Sequence, residues 1–153
     1  MTPRAGDLVV TRWGARFRGR VYPCASGRGG IGQKRGEGEG ITPVGVFRIE
    51  QVLLRPDRLD FEAGALPTGV IGLNDIWSDD PADPAYNTGL TASAHPYSHE
   101  ALRRADGRAA AGAVPDHTRP PVRGAGRPCF FQSCSNPPTP PAGCVASPRS
   151  ACA

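Results

Sequence analysis

The segment Val44-Gly45-Val46-Phe47-Arg48-Ile49-Glu50-Gln51-Val52-Leu53-Leu54 carries the plainest fold signal of the chain. It is rich in β-branched, aromatic and leucine side chains, which favour extended backbone on a half-buried sheet. The turn-forming pair Thr42-Pro43 precedes it, and Arg55-Pro56 follows it. We therefore predict a β-strand that begins after Thr42-Pro43 and runs to about Leu54.

Upstream of this strand the sequence predicts a β-hairpin and a loop. Residues 8 to 24 alternate apolar and polar side chains around Gly14, which favours a hairpin. Residues 27 to 40 contain seven glycines and predict a loop. The glycine run lacks the Gly-Lys-Ser/Thr ending of a nucleotide-binding P-loop. Two interpretations of it stay open, a flexible hairpin loop and a segment that shapes a substrate site.

Downstream the regular signals weaken. Residues 75 to 87 are rich in Asp and Pro and predict a long ordered loop. Ser98 to Arg104 predicts a short helix, because Ser98 can cap it and Glu100 lies in its first turn. Residues 107 to 153 show no sustained alternation and are expected to be atypical and poorly ordered. Within them, residues 108 to 115 are rich in Ala and Gly and are not expected to form a central strand.

Composition narrows the classes of function. A chain of 153 residues fits a single domain over 1–153, and 20 Gly with 17 Pro make it turn-rich. The net charge is +4 with scattered arginines, which argues against nucleic-acid binding and leaves open a basic face toward an anionic polymer. No apolar segment reaches the length of a signal peptide or a membrane span. Five Cys without a CxxC pair and three separate His argue against a metal site.

Cys144 is the candidate nucleophile. Gly143 before it allows a substrate carbonyl to approach the backbone closely, and small neighbouring side chains leave the sulfur accessible. The competing interpretation is an inert cysteine buried as a small hydrophobe. Thiol chemistry needs a base that generates thiolate, and no His lies within 26 residues before Cys144.

Several stretches share the pattern of one enzyme family. They are Gly29-Gly30, Lys34, Glu37-Gly38-Glu39-Gly40, Thr42-Pro43, Gly45-Val46-Phe47, Trp77-Ser78-Asp79-Asp80-Pro81, Tyr86-Asn87, Ser98-His99-Glu100, Ala105-Asp106-Gly107 and Pro137 to Ala146. With these stretches the chain resembles the small single-domain L,D-transpeptidases with the YkuD-type catalytic domain. The resemblance covers most of the chain, from about Gly6 to about Ala146.

The resemblance implies a mainly β fold, a sandwich-like mixed sheet with long loops and a short helix. It implies acyl transfer on peptidoglycan stem peptides through a cysteine thioester, in the periplasm or cell envelope, with no cofactor. Cys144 would be the nucleophile and the backbone near Gly143 the oxyanion hole. Substrate-binding positions would be Lys34, Thr42, Trp77, Asp79, Asp80 and Asn87.

The sequence departs from the family pattern mainly near its end. The family's catalytic His lies twelve residues before the Cys, and Gln132 occupies that position here. Ser78 stands where Cys is usual, and Pro141 replaces the Ser or Thr ahead of Gly-Cys. The chain stops nine residues after Cys144, so one or more C-terminal strands are expected to be missing.

These departures leave several functional interpretations open. The chain is either a specialised relative with impaired or absent turnover, or its last 47 residues come from a disturbed reading frame. A rival function is a non-catalytic peptidoglycan-binding or structural relative. A third interpretation is a soluble domain whose tail is disordered and whose cysteines are inert. The acceptor amine and the oligomeric state are not encoded in any feature of the sequence.

Overall fold

The structure is a computed structural model, and it is mainly β. It describes residues 2–35, 38–58, 64–103 and 111–116, together with the backbone of 131–134 and 145–148. The strands are β1 (Val9–Thr11), β2 (Gly14–Phe17), β3 (Arg20–Tyr22), β4 (Ile31–Gly32), β5 (Thr42–Pro43), β6 (Ile49–Leu54), β7 (Thr68–Val70), β8 (Asp75–Ser78), β9 (Gly89–Thr91), β10 (His99–Ala101), β11 (Ala111–Pro115), β12 (Phe131–Cys134) and β13 (Val145–Pro148). In the ranges given above no helix could cross a membrane.

The predicted hairpin is present and is extended by a third strand. β1 pairs antiparallel with β2, and β2 pairs antiparallel with β3, so residues 9 to 22 form a meander. Gly14 opens β2 with a φ of 136°, and a Cβ there would come within 2.8 Å of the Tyr22 carbonyl oxygen. Only glycine meets both conditions without strain.

The glycine-rich segment is not entirely a loop, which corrects the prediction for residues 27 to 40. Within it, β4 pairs in parallel with β5. Gly29 lies so close to the returning chain that a Cβ would be 2.7 Å from the Glu39 carbonyl oxygen. Glycine thus permits a close backbone approach, and a strand inside the segment pairs with the Thr42–Pro43 strand that follows it.

The predicted strand at Val44–Leu54 is confirmed in its second part as β6. It lies in a five-stranded mixed sheet with the order β13-β12-β11-β6-β7. β6 pairs antiparallel with β11 and parallel with β7. Val44 and Val46, which were predicted to belong to the strand, are exposed and precede it. Burial against neighbouring elements therefore sets where the strand begins.

The expectation that residues 108 to 115 cannot form a central strand is wrong. β11 lies between β12 and β6. Its small side chains permit tight packing, and Val114 forms a buried cluster with Trp77, against which Leu53 and Leu102 pack. Pro115 stands at the strand end, where the register shifts and a missing N–H is tolerated.

Two further local predictions are wrong, and both fail at the three-stranded sheet β10-β8-β9. Residues 75 to 78 form β8 instead of the start of a loop, and the residues after Ser98 form β10 instead of a helix. Glu100 is the register partner of Trp77 in this sheet. Strand pairing around a buried Trp therefore outweighs the local capping pattern, whose contribution is of the order of 1 kcal/mol.

Candidate functional site

The structure divides the predicted site residues among separate elements. Lys34 lies in the glycine-rich segment, and Thr42 begins β5, which pairs with that segment. Four residues lie at the end of β8 and in the turns after it, namely Trp77, Asp79, Asp80 and Asn87. Gln132 is on β12. Gly143 and Cys144 lie outside the described residues.

Thr42 and Lys34 are buried. The Thr42 hydroxyl oxygen accepts a hydrogen bond from the backbone N–H of Gly27 at 2.8 Å, across fifteen residues of sequence. The backbone N–H of Thr42 donates to the Gly30 carbonyl at 2.9 Å. These contacts show Thr42 holding the glycine-rich segment closed.

Trp77 and Asn87 form one contact, although ten residues separate them. The indole Nε1–H of Trp77 donates to Oδ1 of Asn87 at 3.3 Å, and both side chains are buried. Asn87 has a φ of 63°, a left-handed conformation that Asn adopts more readily than most residues. Its backbone N–H donates to the Ser78 carbonyl at 3.0 Å, which returns the chain to β8. The Trp and Asn of the sequence pattern are therefore a structural pair.

Asp79 and Asp80 organise the turns that follow β8. The Asp80 carboxylate accepts a hydrogen bond from the backbone N–H of Ala82 at 2.9 Å and a longer one from that of Ser98 at 3.4 Å. The backbone N–H of Asp79 donates to the Ser98 carbonyl at 3.2 Å. Both residues therefore connect the turns to the segment that leads into β10.

A buried polar cluster beside these residues was not predicted from the sequence. It consists of Ser78, Asp83 and His95, and we call it the Ser78 cluster. The Ser78 side chain has no exposed surface, and its hydroxyl donates to Oδ2 of Asp83. Nε2 of His95 lies 2.6 Å from the same oxygen. Oδ1 of Asp83 accepts the backbone N–H of Ala85 at 2.8 Å.

The electrostatics of the Ser78 cluster favour an ionised Asp83. Burial raises the pKa of this carboxyl, but hydrogen bonds from Ser78, the Ala85 backbone and His95 outweigh burial, so the net pKa lies below its ordinary value of 3.8. The cluster combines Ser, Asp and His without the order of a catalytic triad. The Ser hydroxyl donates to the carboxylate instead of to the His, and it has no access to a substrate. Its role is structural.

We predict that Ser78→Ala lowers the free energy of unfolding by about 1–3 kcal/mol, because a buried carboxylate loses a donor. Because the pKa of Asp83 is lowered in the folded state, its ionised form stabilises the fold at pH values above the ordinary pKa of 3.8. This stabilisation is lost as the pH falls through the folded pKa. Removing the Ser78 donor raises that pKa, so acid unfolding begins at a higher pH. Urea unfolding at neutral pH and acid titration followed by circular dichroism measure both effects.

Ser93→Ala is the matched control for Ser78→Ala, because Ser93 is exposed. Its unfolding free energy is expected to stay within about 0.5 kcal/mol of the parent. Identical acid titrations for the two variants would contradict the role assigned to the Ser78 cluster.

An open groove of about 390 Å³ lies between β6 of the five-stranded sheet and the sheet of β8 and β9. Its apolar wall includes Leu53, Trp77 and Leu102, and Asn87 and Asp75 add polar groups. The Asp75 carboxylate accepts hydrogen bonds from the Gly72 N–H and the Thr91 hydroxyl, each at 2.7 Å. Of the predicted site residues, Trp77 and Asn87 line this groove.

The register of the five-stranded sheet relates Gln132 to the face of the groove. Leu53 pairs with Gly112, and Gly112 pairs with Gln132, so these three positions share one face of the sheet. On its other side β12 pairs in parallel with β13, with Gln132 opposite Ala146 and Phe131 opposite Val145. Val145 directly follows Cys144 in the sequence. β12 therefore pairs with the strand that begins directly after Cys144.

The described part of the chain offers neither a second reactive cysteine nor a metal site. Cys24 forms no disulfide there, and burial raises the pKa of its thiol, which makes it a poor nucleophile at neutral pH. The described ranges contain no group of three or more His, Cys, Asp or Glu that could hold a metal ion.

Comparison of the chain with protein-family models, with curated proteins and with solved structures finds no match. Function therefore has to be inferred from the chain's own residues. The features that bear on it are the register of β12 and β13, the groove beside Trp77, and Cys144.

Proposed function

We propose that the chain is an L,D-transpeptidase-like cysteine acyltransferase that acts on peptidoglycan stem peptides in the cell envelope, with Cys144 as its nucleophile. The parallel pairing of β12 with β13 supports this proposal. Neighbouring strands lie about 4.8 Å apart, so Gln132 is one strand away from the residues that follow Cys144. In this register Gln132 stands opposite Ala146, two residues after Cys144.

The proposed reaction has two steps. The Cys144 thiolate attacks the carbonyl carbon of the third stem residue, a C–S bond forms, and the terminal D-alanine leaves as an amine that takes up a proton. An amine of a neighbouring stem then attacks the thioester, forms the new amide and releases the thiol. Backbone N–H groups near Gly143 and Cys144 would stabilise the oxyanion of each tetrahedral intermediate.

Gln132 makes the proposed enzyme slow at neutral pH. A carboxamide is not a usable base, although it can hydrogen-bond a thiol or a substrate carbonyl. An unassisted thiol with a pKa of about 8.5 is only a few per cent thiolate at pH 7. Acylation is therefore expected to accelerate with pH by about tenfold per unit below that pKa, because only the thiolate reacts.

The groove beside Trp77 is the natural place for the acyl donor in this proposal. It opens on the sheet face that Leu53 shares with position 132. Trp77 and Asn87 would contact the stem, with Asp79 and Asp80 holding the turns of the rim. Lys34 and Thr42 would act through the shape of the glycine-rich segment, since Thr42 ties that segment to its own start.

The direct test of the proposal is covalent labelling. We expect the parent chain to gain the mass of a carbapenem-type β-lactam, or of a stem-peptide acyl group, with peptide mapping to Cys144. Cys144→Ala should lose this adduct, and Cys24→Ala should keep it because burial raises the Cys24 pKa. An adduct that persists in folded Cys144→Ala, or that maps to another cysteine, would rule out Cys144 as the nucleophile.

A non-catalytic peptidoglycan-binding protein is the second candidate function, and Gln132 in the base position favours it. In that case isolated sacculi would bind the parent and Cys144→Ala equally, and neither would form an adduct at any pH up to the thiol pKa. A groove variant such as Leu102→Arg should then reduce sacculus binding, since Leu102 lines the groove.

A further inference from the structure

The basic charge of the chain is concentrated before the central strand. Residues 8 to 36 contain seven Lys or Arg and no Asp or Glu, so this segment carries a formal charge of +7 while the whole chain carries +4. Four of these residues lie in the β1–β3 meander, namely Arg12, Arg16, Arg18 and Arg20. Among the described residues, none places a carboxylate within ion-pair distance of these four.

The register of the meander defines an outer face. Arg16 pairs with Val9 on one side and with Val21 on the other, so these side chains share a face. Ala15 lies on the opposite face and is buried, which makes the Arg16 face the outer one. Val21 on this face is 69 % exposed. Arginine and an apolar β-branched side chain therefore stand side by side in water.

Trp13 is presented at the turn between β1 and β2 and is 79 % exposed. The turn is ordered by two hydrogen bonds of the Thr11 hydroxyl, which accepts from the Trp13 N–H and donates to the Gly14 carbonyl, each at 3.1 Å. The Arg12 guanidinium lies over the indole ring, 4.5 Å from its centroid. The meander therefore holds a large apolar ring and a cation together at the exposed β1–β2 turn.

We propose that the outer face of the meander binds the surface of an anionic phospholipid bilayer. The meander patch consists of Arg12, Trp13, Arg16 and Val21, whereas the Arg18 guanidinium lies over the ring of Phe17, which belongs to the opposite face. Guanidinium groups are attracted to anionic headgroups, and Trp is favoured at the level of the headgroups because its ring is amphipathic. This inference does not depend on the proposed acyl transfer.

A lipid surface accounts for the patch better than a nucleic acid or a phosphate polymer does. One face of the Trp13 ring is already covered by Arg12, which leaves less of it for stacking with a base. A phosphate polymer would engage the arginines and leave Val21 and Trp13 in water. A bilayer interface takes up the cations and the apolar groups together.

Tryptophan fluorescence provides a specific readout of this binding. The chain has two Trp, and Trp77 is 7 % exposed while Trp13 is 79 % exposed. With phosphatidylcholine vesicles that contain phosphatidylglycerol, we expect co-sedimentation and a blue shift of the emission as Trp13 leaves water. Vesicles of phosphatidylcholine alone should give neither, and high salt should reverse the binding because it screens the charges.

Matched variants decide whether the patch is responsible. Each arginine near an anionic surface contributes about fivefold to partitioning, so Arg12→Gln with Arg16→Gln should weaken binding about 25-fold. Arg48→Gln removes an exposed arginine outside the patch and should weaken it much less. Trp13→Ala should also weaken binding, whereas Leu73→Ala, at another highly exposed apolar residue, should not.

Several outcomes would overturn the proposal for protein whose circular dichroism matches the parent. They are no binding to the phosphatidylglycerol vesicles, an equal loss of vesicle binding in the patch and control variants, and co-sedimentation without a blue shift of the Trp13 emission. Tighter binding to a single-stranded oligonucleotide or to polyphosphate than to the vesicles would instead assign the patch to that polymer.

Discussion

Gln132→His is expected to raise the rate of thioester formation at Cys144 by about 10²–10⁴-fold at neutral pH, the usual contribution of a positioned general base. The substitution introduces an imidazole on the strand that pairs with β13. It would take the thiol proton, so the rate would no longer depend on the small thiolate fraction. Intact-mass kinetics with a carbapenem-type β-lactam measure the change.

Ser133→His is the matched control for Gln132→His. It adds the same residue one position further along β12, and successive positions of a strand belong to opposite faces of the sheet. Ser133→His should therefore leave the acylation rate near that of the parent.

The pH dependence separates a working base from a general effect of added His. The parent rate should rise about tenfold per pH unit toward the thiol pKa, whereas the rate of Gln132→His should level off above the imidazole pKa, ordinarily about 6.5. Equal rates for both His variants, or no gain in folded Gln132→His, would show that position 132 is not the base position. The adduct on Cys144 in the parent would still test the nucleophile separately.

Trp77→Ala is expected to lower the free energy of unfolding by about 3–5 kcal/mol, the usual cost of truncating a large buried aromatic side chain. Trp77 and Val114 form a buried cluster, and Leu53 and Leu102 pack against it. This cluster joins the sheet of β8 to the five-stranded sheet. Its indole also donates a hydrogen bond to Asn87, and this contact would be lost. Urea unfolding followed by circular dichroism measures the loss.

Trp13→Ala is the natural control, because Trp13 is the other Trp of the chain and is 79 % exposed. Its expected effect is within about 0.5 kcal/mol of the parent. If the two Trp variants unfolded at the same urea concentration, Trp77 would not be a core residue and the packing of the two sheets would be wrong.

Local patterns predicted only part of the fold. The hairpin around Gly14 and the strand that contains Val52 and Leu54 were predictable, because alternation and β-branched runs are properties of neighbouring residues. β11 was not, since an Ala and Gly segment carries no strand preference of its own. It becomes a strand because β6 and β12 supply partners for its backbone hydrogen bonds on both sides.

The candidate site, too, was only partly predictable from the sequence. The ten-residue spacing of Trp77 and Asn87 and the twelve-residue spacing of Gln132 and Cys144 are visible in the sequence. The Ser78 cluster is not, because seventeen residues separate Ser78 from His95 and no local pattern relates them.

The sequence by itself determined that this chain is β-rich and turn-rich, and that residue 132 is a glutamine that cannot serve as a base. Those properties depend on residue types and on short spacings. Tertiary structure alone decided that β11 is a central strand, that Gln132 stands opposite Ala146, and that Asp83 accepts from both Ser78 and His95. Pairing and burial between distant segments produce these relations, and their free energies exceed the local preferences that oppose them.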